Sequence, residues 1–271
     1  MNWANKLQSI DRRIIYTILL IGLTIPLIWP IGIPLAVNDT TRAVYKIIED
    51  LDPATDVVLL SFDYSPASAP DIHPSAVAIV EHLTKRGIKW VGVSFWPEGP
   101  QMSEGIMRNL ETRGLKYGVD FIDLGFMAGA ENAIAEFAQN SRVITTDVRG
   151  THIDNLPLMN NITTMKDFAF VIGISAGDPG YNAFIRQAVD PMGVKFAAAI
   201  VTVSVPAAMP FYASGQLRGM LQGLRGAAEY ESLTGVAGRG AAMMDAQSIG
   251  HLIIVAFIAV GNFAYFLSKK K

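Results

Sequence analysis

Three short stretches of this chain carry side chains suited to chemistry. The loop FDYSPASAPDIHP holds Asp63, Asp71 and His73. Two carboxylates and an imidazole are reasonable ligands for zinc or manganese, although this spacing matches no specific metal pattern. A second loop places Glu98 beside Trp96, where a carboxylate can act as general acid or base. The third stretch, GISAG at 173–177, matches G-x-S-x-G. That turn lifts a serine hydroxyl above a sheet, next to backbone donors able to hold an oxyanion. Ser175 would be its nucleophile, with Asp178 close behind.

Each candidate has a plainer reading. Aspartates cap turns, a glutamate in a loop is usually solvated, and glycines satisfy turn geometry. The serine has a further defect. In the nucleophile-elbow fold the chain order is serine, acid, histidine, and the only histidine after Ser175 is His251, inside an apolar run. Asp178–Pro179 also starts the following helix several residues late.

Other chemistries are excluded or unsupported. The chain has no cysteine, which removes disulfides, thiolate zinc sites and a cysteine nucleophile. No G-x-G-x-x-G follows the first strand and no G-x-x-x-x-G-K-[ST] occurs, so dinucleotide and P-loop readings lose their main support. No cofactor is expected.

The elements that must position these residues follow from hydrophobic patterning. DVVLLSF (56–62), IKWVGVSF (88–95), VDFIDLG (119–125), FAFVIGIS (168–175) and KFAAAIVTVS (195–204) are short apolar runs rich in β-branched residues. Amphipathic helical stretches alternate with them. Such alternation predicts an α/β fold with a doubly wound, mostly parallel sheet of about five strands, Rossmann- or flavodoxin-like. Ligands of such sheets bind beyond the carboxyl ends of the strands. Asp63, Glu98, Ser175 and Asp178 all fall at those ends. The stretch 141–167 interrupts the alternation, and long connections tend to be functional.

Residues 206–233 are expected to be mostly helix. Gly215, Gly219 and Gly223 are spaced by four, and Gly226 follows. Each mid-helix glycine costs about 1 kcal/mol against alanine. A glycine face permits close approach of another backbone, and Arg218 and Arg225 share a face seven residues apart. These six residues are the expected packing or oligomer surface.

Long apolar segments stand at both ends, at 14–37 and 249–267, without Asp, Glu, Lys or Arg. Both reach the roughly 20 residues needed to cross a bilayer. Arg12 and Arg13 precede the first, and Lys269, Lys270 and Lys271 follow the second, so both termini are expected on the cytoplasmic side. Trp3, Leu7 and Ile10 fall at helical spacing and suit a short amphipathic turn on the inner face. Chain-wide there are 22 basic and 24 acidic residues. Setting aside Lys6, the five terminal cations just named and Asp11 leaves 16 basic against 23 acidic, a net of −7. An acidic middle argues against a nucleic-acid partner.

The expected organisation is a cytoplasmic segment (1–13), a transmembrane helix (14–37), an extracytoplasmic α/β domain (38–205), a glycine-faced membrane-proximal helix and linker (206–242), a second transmembrane helix (243–267) and a cytoplasmic tail (268–271). The expected location is the plasma membrane. The expected role is a structural or assembly subunit of a homo- or hetero-oligomeric membrane complex rather than an enzyme. The alternative is an extracytoplasmic ligand-binding module or hydrolase with its site at the strand ends.

Overall fold

The computed structural model describes residues 10–236 and 238–269. Lys6, Trp3, Leu7, Lys270 and Lys271 lie outside the described residues. The chain divides into two compact units, residues 36–238 and the two ends together.

The larger unit is an α/β domain. Helix α1 (Arg12–Ile28) belongs to the end unit, so the domain opens with α2 (Asp39–Glu49), followed by β1 (Val57–Asp63), α3 (Ala69–Arg86), β2 (Lys89–Ser94), α4 (Gly99–Thr112), β3 (Phe121–Phe126) and α5 (Glu131–Gln139). After three 3-10 turns come β4 (Phe170–Ser175) and α6 (Tyr181–Phe184), which runs through a π-turn (Ile185–Val189) into α7 (Asp190–Met192). Then follow β5 (Phe196–Ile200), α8 (Val205–Ala213), β6 (Met220–Gln222) and α9 (Gly223–Thr234). The six strands form one all-parallel sheet in the order β3-β2-β1-β4-β5-β6. This is the doubly wound Rossmann order, whose direction reverses between β1 and β4.

Alternation along each strand sorts the core into two layers. Leu59, Val91, Ile122, Val171 and Ala198 face a layer that includes Phe137 of α5 and Phe184 of α6. Val58, Leu60, Trp90, Ile172 and Ala199 face a layer built on α2, α3, α4 and α9. The 141–167 stretch is a scaffold for the first layer: its Ile153, Met159 and Met165 are buried there. Arg142 ties it by donating to Met159 O and Ile162 O (2.7 and 3.0 Å). The β structure of the stretch is a single bridge, Thr146 with His152.

The sequence expectation fails most clearly at 206–233. One glycine-faced helix was expected. The chain instead forms α8, β6 and α9, which supplies a sixth strand. The glycines mark the breaks. Gly215 has φ +82° after α8, and Gly223 has φ +55° where β6 passes into α9. Gly219 lies beside α2, where a Cβ would stand 2.7 Å from Val44 Cγ2 and 2.9 Å from Val44 N. At Gly226 a Cβ would meet the Leu221 backbone at 2.8 Å. The close approaches that these glycines permit are made within the domain.

The smaller unit contains α1 (Arg12–Ile28) and α10 (Arg239–Lys269). Asp11 caps α1, accepting from Arg13 N at 2.9 Å. Among the described residues, one helix is long and apolar enough to cross a membrane, over Arg239–Leu267. Helix α1 has 17 residues, roughly 26 Å at 1.5 Å per residue. The first apolar segment therefore stays helical only to Ile28, and residues beyond Trp29 are non-helical up to Asn38. Pro30 and Pro34 explain the early end, since neither can donate to a helical ladder.

The two end helices touch at small residues. A Cβ on Gly22 would sit 2.3 Å from Ile253 Cδ1, and one on Gly250 would sit 2.8 Å from Leu23 Cδ2. Asp245 of α10, 3% exposed, accepts the backbone N–H groups of Ile31, Gly32 and Ile33 at 2.8, 2.8 and 3.1 Å. Three successive amides converging on a carboxylate form an anion nest. Gly32 at φ +71° permits the turn. Gly261 of α10 faces open space.

Candidate site at the carboxyl ends of the strands

The rule for open parallel sheets directs attention to the crevice where β1 and β4 diverge. Asp63 and Ser175 are register partners there. Asp63 is completely buried. Its carboxylate accepts from Ser61 Oγ (2.5 Å) and from Phe95 N (2.6 Å). Burial pushes the carboxyl up to about 7, against the lowering effect of those donors. Asp63 thus fixes the β2–α4 loop, and its oxygens point at the protein itself.

That loop closes the crevice. Ser94 Oγ donates to Phe62 O (2.8 Å) and receives Trp96 N (3.0 Å). The Trp96 indole N–H donates to Pro179 O at 3.0 Å, and its ring covers Gly177, where a Cβ would be 3.2 Å away. Phe95 turns inward and packs edge-on against Phe137 and Phe184. The glycines around GISAG are explained by these rings. Gly173 makes room for Phe196, whose Cζ would lie 2.9 Å from an added Cβ. Ser175 is 2% exposed and lies under Gly180, where a Cβ would be 3.0 Å from Ser175 Oγ.

Among the described residues, three histidines make bonds elsewhere than to that serine. His73 Nδ1 bonds Tyr64 Oη (2.8 Å), His82 bonds Glu49 and Tyr230, and His152 pairs with Asp154 (3.3 Å). Glu98 is exposed at the start of α4. Asp178 is exposed and accepts from Asn182 Nδ2 at 3.0 Å.

The three candidate metal ligands have separate duties. Asp63 serves the β2–α4 loop and His73 serves Tyr64. Asp71 accepts from Thr202 N (2.8 Å), Thr202 Oγ1 (3.1 Å) and Leu224 N (2.9 Å). It therefore satisfies an orphan amide in the first turn of α9. Gly223 is required beside it, because a Cβ there would lie 2.1 Å from Thr202 Oγ1. Among the described residues no three His, Asp or Glu side chains gather as a metal site.

Sequence reasoning missed the polar groups that are most deeply built in. Asp123 of β3, 2% exposed, accepts from Ser103 Oγ and from Gly125 N (2.8 Å), and burial pushes its carboxyl up. A charged residue in mid-strand was the available signal. Next to it Tyr117 donates to Asp147 (2.9 Å), with the Arg149 guanidinium 3.6 Å above its ring.

A second line joins Glu49, His82 and Tyr230. Glu49 Oε1 lies 2.9 Å from His82 Nε2, and His82 Nδ1 lies 2.7 Å from Tyr230 Oη. Desolvation lowers the His82 pKa, which favours the neutral ring. A neutral ring donating Nε2–H to Glu49 accepts the Tyr230 hydroxyl at Nδ1. The order resembles an acid–base relay, but Tyr230 is completely buried and burial holds its hydroxyl well above the usual range. The line is a tie among α2, α3 and α9.

Glu229 of α9 is also completely buried. It accepts from Asn38 N, Asn38 Nδ2, Thr41 Oγ1 and Arg225 Nε at 3.0, 2.9, 2.8 and 2.8 Å. Arg225 further donates to Ala36 O (3.3 Å). Of the two arginines expected on a shared packing face, Arg225 thus holds the start of the domain, while Arg218 is exposed. The spacing of Arg225 and Glu229 by four was legible as a helical ion pair.

Compared with known proteins, the chain matches no family model, and neither a curated protein nor a solved structure matches it.

Proposed function

We propose that this chain is a membrane-anchored structural subunit, whose Rossmann-like domain serves as a docking body in an oligomeric membrane complex. The observation that carries this reading is the closed crevice. At the place where such sheets bind ligands, Trp96 bonds Pro179 and covers Gly177, and Asp63 is buried and bonded by Ser61 and Phe95. The same features weigh against the ligand-binding and hydrolase alternative. The polar side chains that are buried elsewhere hold backbone: Glu229 grips the lead into α2, and Asp245 grips residues 31–33.

The membrane reading rests on Arg239–Leu267 and on the many large apolar side chains that α1 and α10 expose, such as Leu20, Ile28, Leu252 and Phe266. We extend it to a two-pass topology, with α1 and the residues after Trp29 completing the first passage. Basic flanks place both termini in the cytoplasm and the domain outside. The expected oligomer surface is no longer the glycine face, which is consumed within the domain.

Two measurements on one cysteine-free background test this. A Lys116→Cys variant in intact cells should react with a membrane-impermeant maleimide. Crosslinking in native membranes should convert the 29.3 kDa chain into discrete larger species. A shielded cysteine would reverse the topology. A chain that stays monomeric under efficient crosslinking would refute the assembly role.

A further inference from the structure

Helix α8 shows solvent an unusual surface. Only Ala208 of its nine residues is buried. Pro206, Met209, Pro210 and Ala213 are exposed and fall on one helical face. Val203, just before the helix, is 86% exposed. No charged residue occurs from Val201 to Leu217. A groove of about 470 Å³ runs between the end of α8 and α2, lined among others by Lys46, Asp50, Tyr212 and Arg218.

The charge beside this surface is equally distinctive. Residues 36–238 contain nine arginines. Seven pair with carboxylates, namely Arg86, Arg108, Arg113, Arg142, Arg149, Arg186 and Arg225. Among the described residues, the two without an ion pair are Arg42 and Arg218. Arg42 stands four before Lys46 on exposed α2, so these two cations share a face, and Arg218 lines the same groove as Lys46. An acidic domain thus leaves three cations without an ion pair beside this uncharged apolar helix, with Asp50 lining the same groove.

An exposed apolar helix flanked by free cations has the chemistry of a lipid-surface anchor. The tether favours the same occupant. Gly238 ends the domain, and Arg239 begins the long apolar helix. An extended residue spans only about 3.5 Å, so with that helix in a bilayer the domain stays at the headgroups. We propose that the α8 surface docks on anionic phospholipid of the membrane that holds α10. Val203 and Met209 enter the headgroup boundary, and Arg42, Lys46 and Arg218 meet lipid phosphates. This rests on the reading of Arg239–Leu267 as a membrane helix.

The test uses the full chain with Val203→Cys, carrying an environment-sensitive fluorophore, reconstituted into vesicles. One set is phosphatidylcholine alone, and the other contains phosphatidylglycerol. The expected result is a blue-shifted emission, quenched by brominated lipid, in the phosphatidylglycerol vesicles. R42Q/K46Q/R218Q should reverse it, at about fivefold in the docked-to-free ratio per cation. A label at Lys116→Cys should stay solvent-exposed throughout. A Val203→Cys label as exposed as that control overturns the proposal. Protection that is equal in both lipids and rises with protein density identifies a second copy as the occupant, which also overturns it. Failure of the chain to float with vesicles is a different result, and removes the membrane reading itself.

Discussion

The crevice between β1 and β4 and the edge formed by α2, β6 and α9 both contain buried carboxylates, but they use them differently. Asp63 is held by Ser61 of its own strand and by Phe95 just after β2, and burial raises its carboxyl to about 7. Glu229 is held by donors from three places in the chain: Asn38, Thr41 and Arg225. The first carboxylate locks a loop that seals the sheet. The second locks the point where the chain enters the domain. Buried polar groups in a Rossmann-like domain can serve its own backbone, and Asp63 and Glu229 both do so here.

The contrast breaks most easily at Glu229. Glu229→Ala leaves the donors of Asn38, Thr41 and Arg225 unmatched around a buried position and should cost about 3 kcal/mol, read as a lower denaturant midpoint for the full chain in detergent. A loss under about 0.5 kcal/mol, the level of an ordinary surface change, would show that the edge is not a lock. Gly219→Leu comes next. Its side chain must enter the space of Val44 and the α2 backbone, for roughly 2 kcal/mol of overpacking. Because the clash is within one chain, unfolding should shift in dilute monomer as well. A variant that keeps its stability while losing assembly would return the glycines to an intermolecular role.

Asp63 gives a pH signature with a definite sign. Below about pH 3.8 both folded and unfolded chains hold the proton. Between there and about pH 7 only the folded form keeps it, so this group's contribution to stability declines as pH rises through that window. Asp63→Asn should flatten the decline between about pH 4 and pH 7 in a thermal unfolding series. An unchanged slope would mean that the carboxylate ionises normally and is not sealed. The smallest effect is expected at Glu98, exposed at the mouth of the same crevice. Glu98→Ala should move stability by less than about 0.5 kcal/mol, and a larger change would give that carboxylate a structural duty.

The parallel sheet was legible because β1, β2, β4 and β5 are buried on both faces and read as continuous apolar runs. The sixth strand was not. Met220–Gln222 is three residues long, set among glycines whose spacing imitates a helical stripe. Its pairing with Ala198, Ala199 and Ile200 is a tertiary fact with no local signature. The strand-end positions Asp63, Glu98, Ser175 and Asp178 were found by topology. Their roles depend on Trp96 reaching Pro179, a contact 83 residues apart in sequence. Likewise nothing near His82 signals that Glu49 and Tyr230 complete its line, because the three stand on different helices.

Native mass spectrometry of the particle released from membranes in mild detergent tests the central claim most directly, since it reads subunit mass and bound small molecules together. The account predicts a stable assembly well above the 29.3 kDa chain, with no small-molecule adduct that is lost on Trp96→Ala or Asp63→Asn substitution. A 29.3 kDa monomer carrying such an adduct would contradict it.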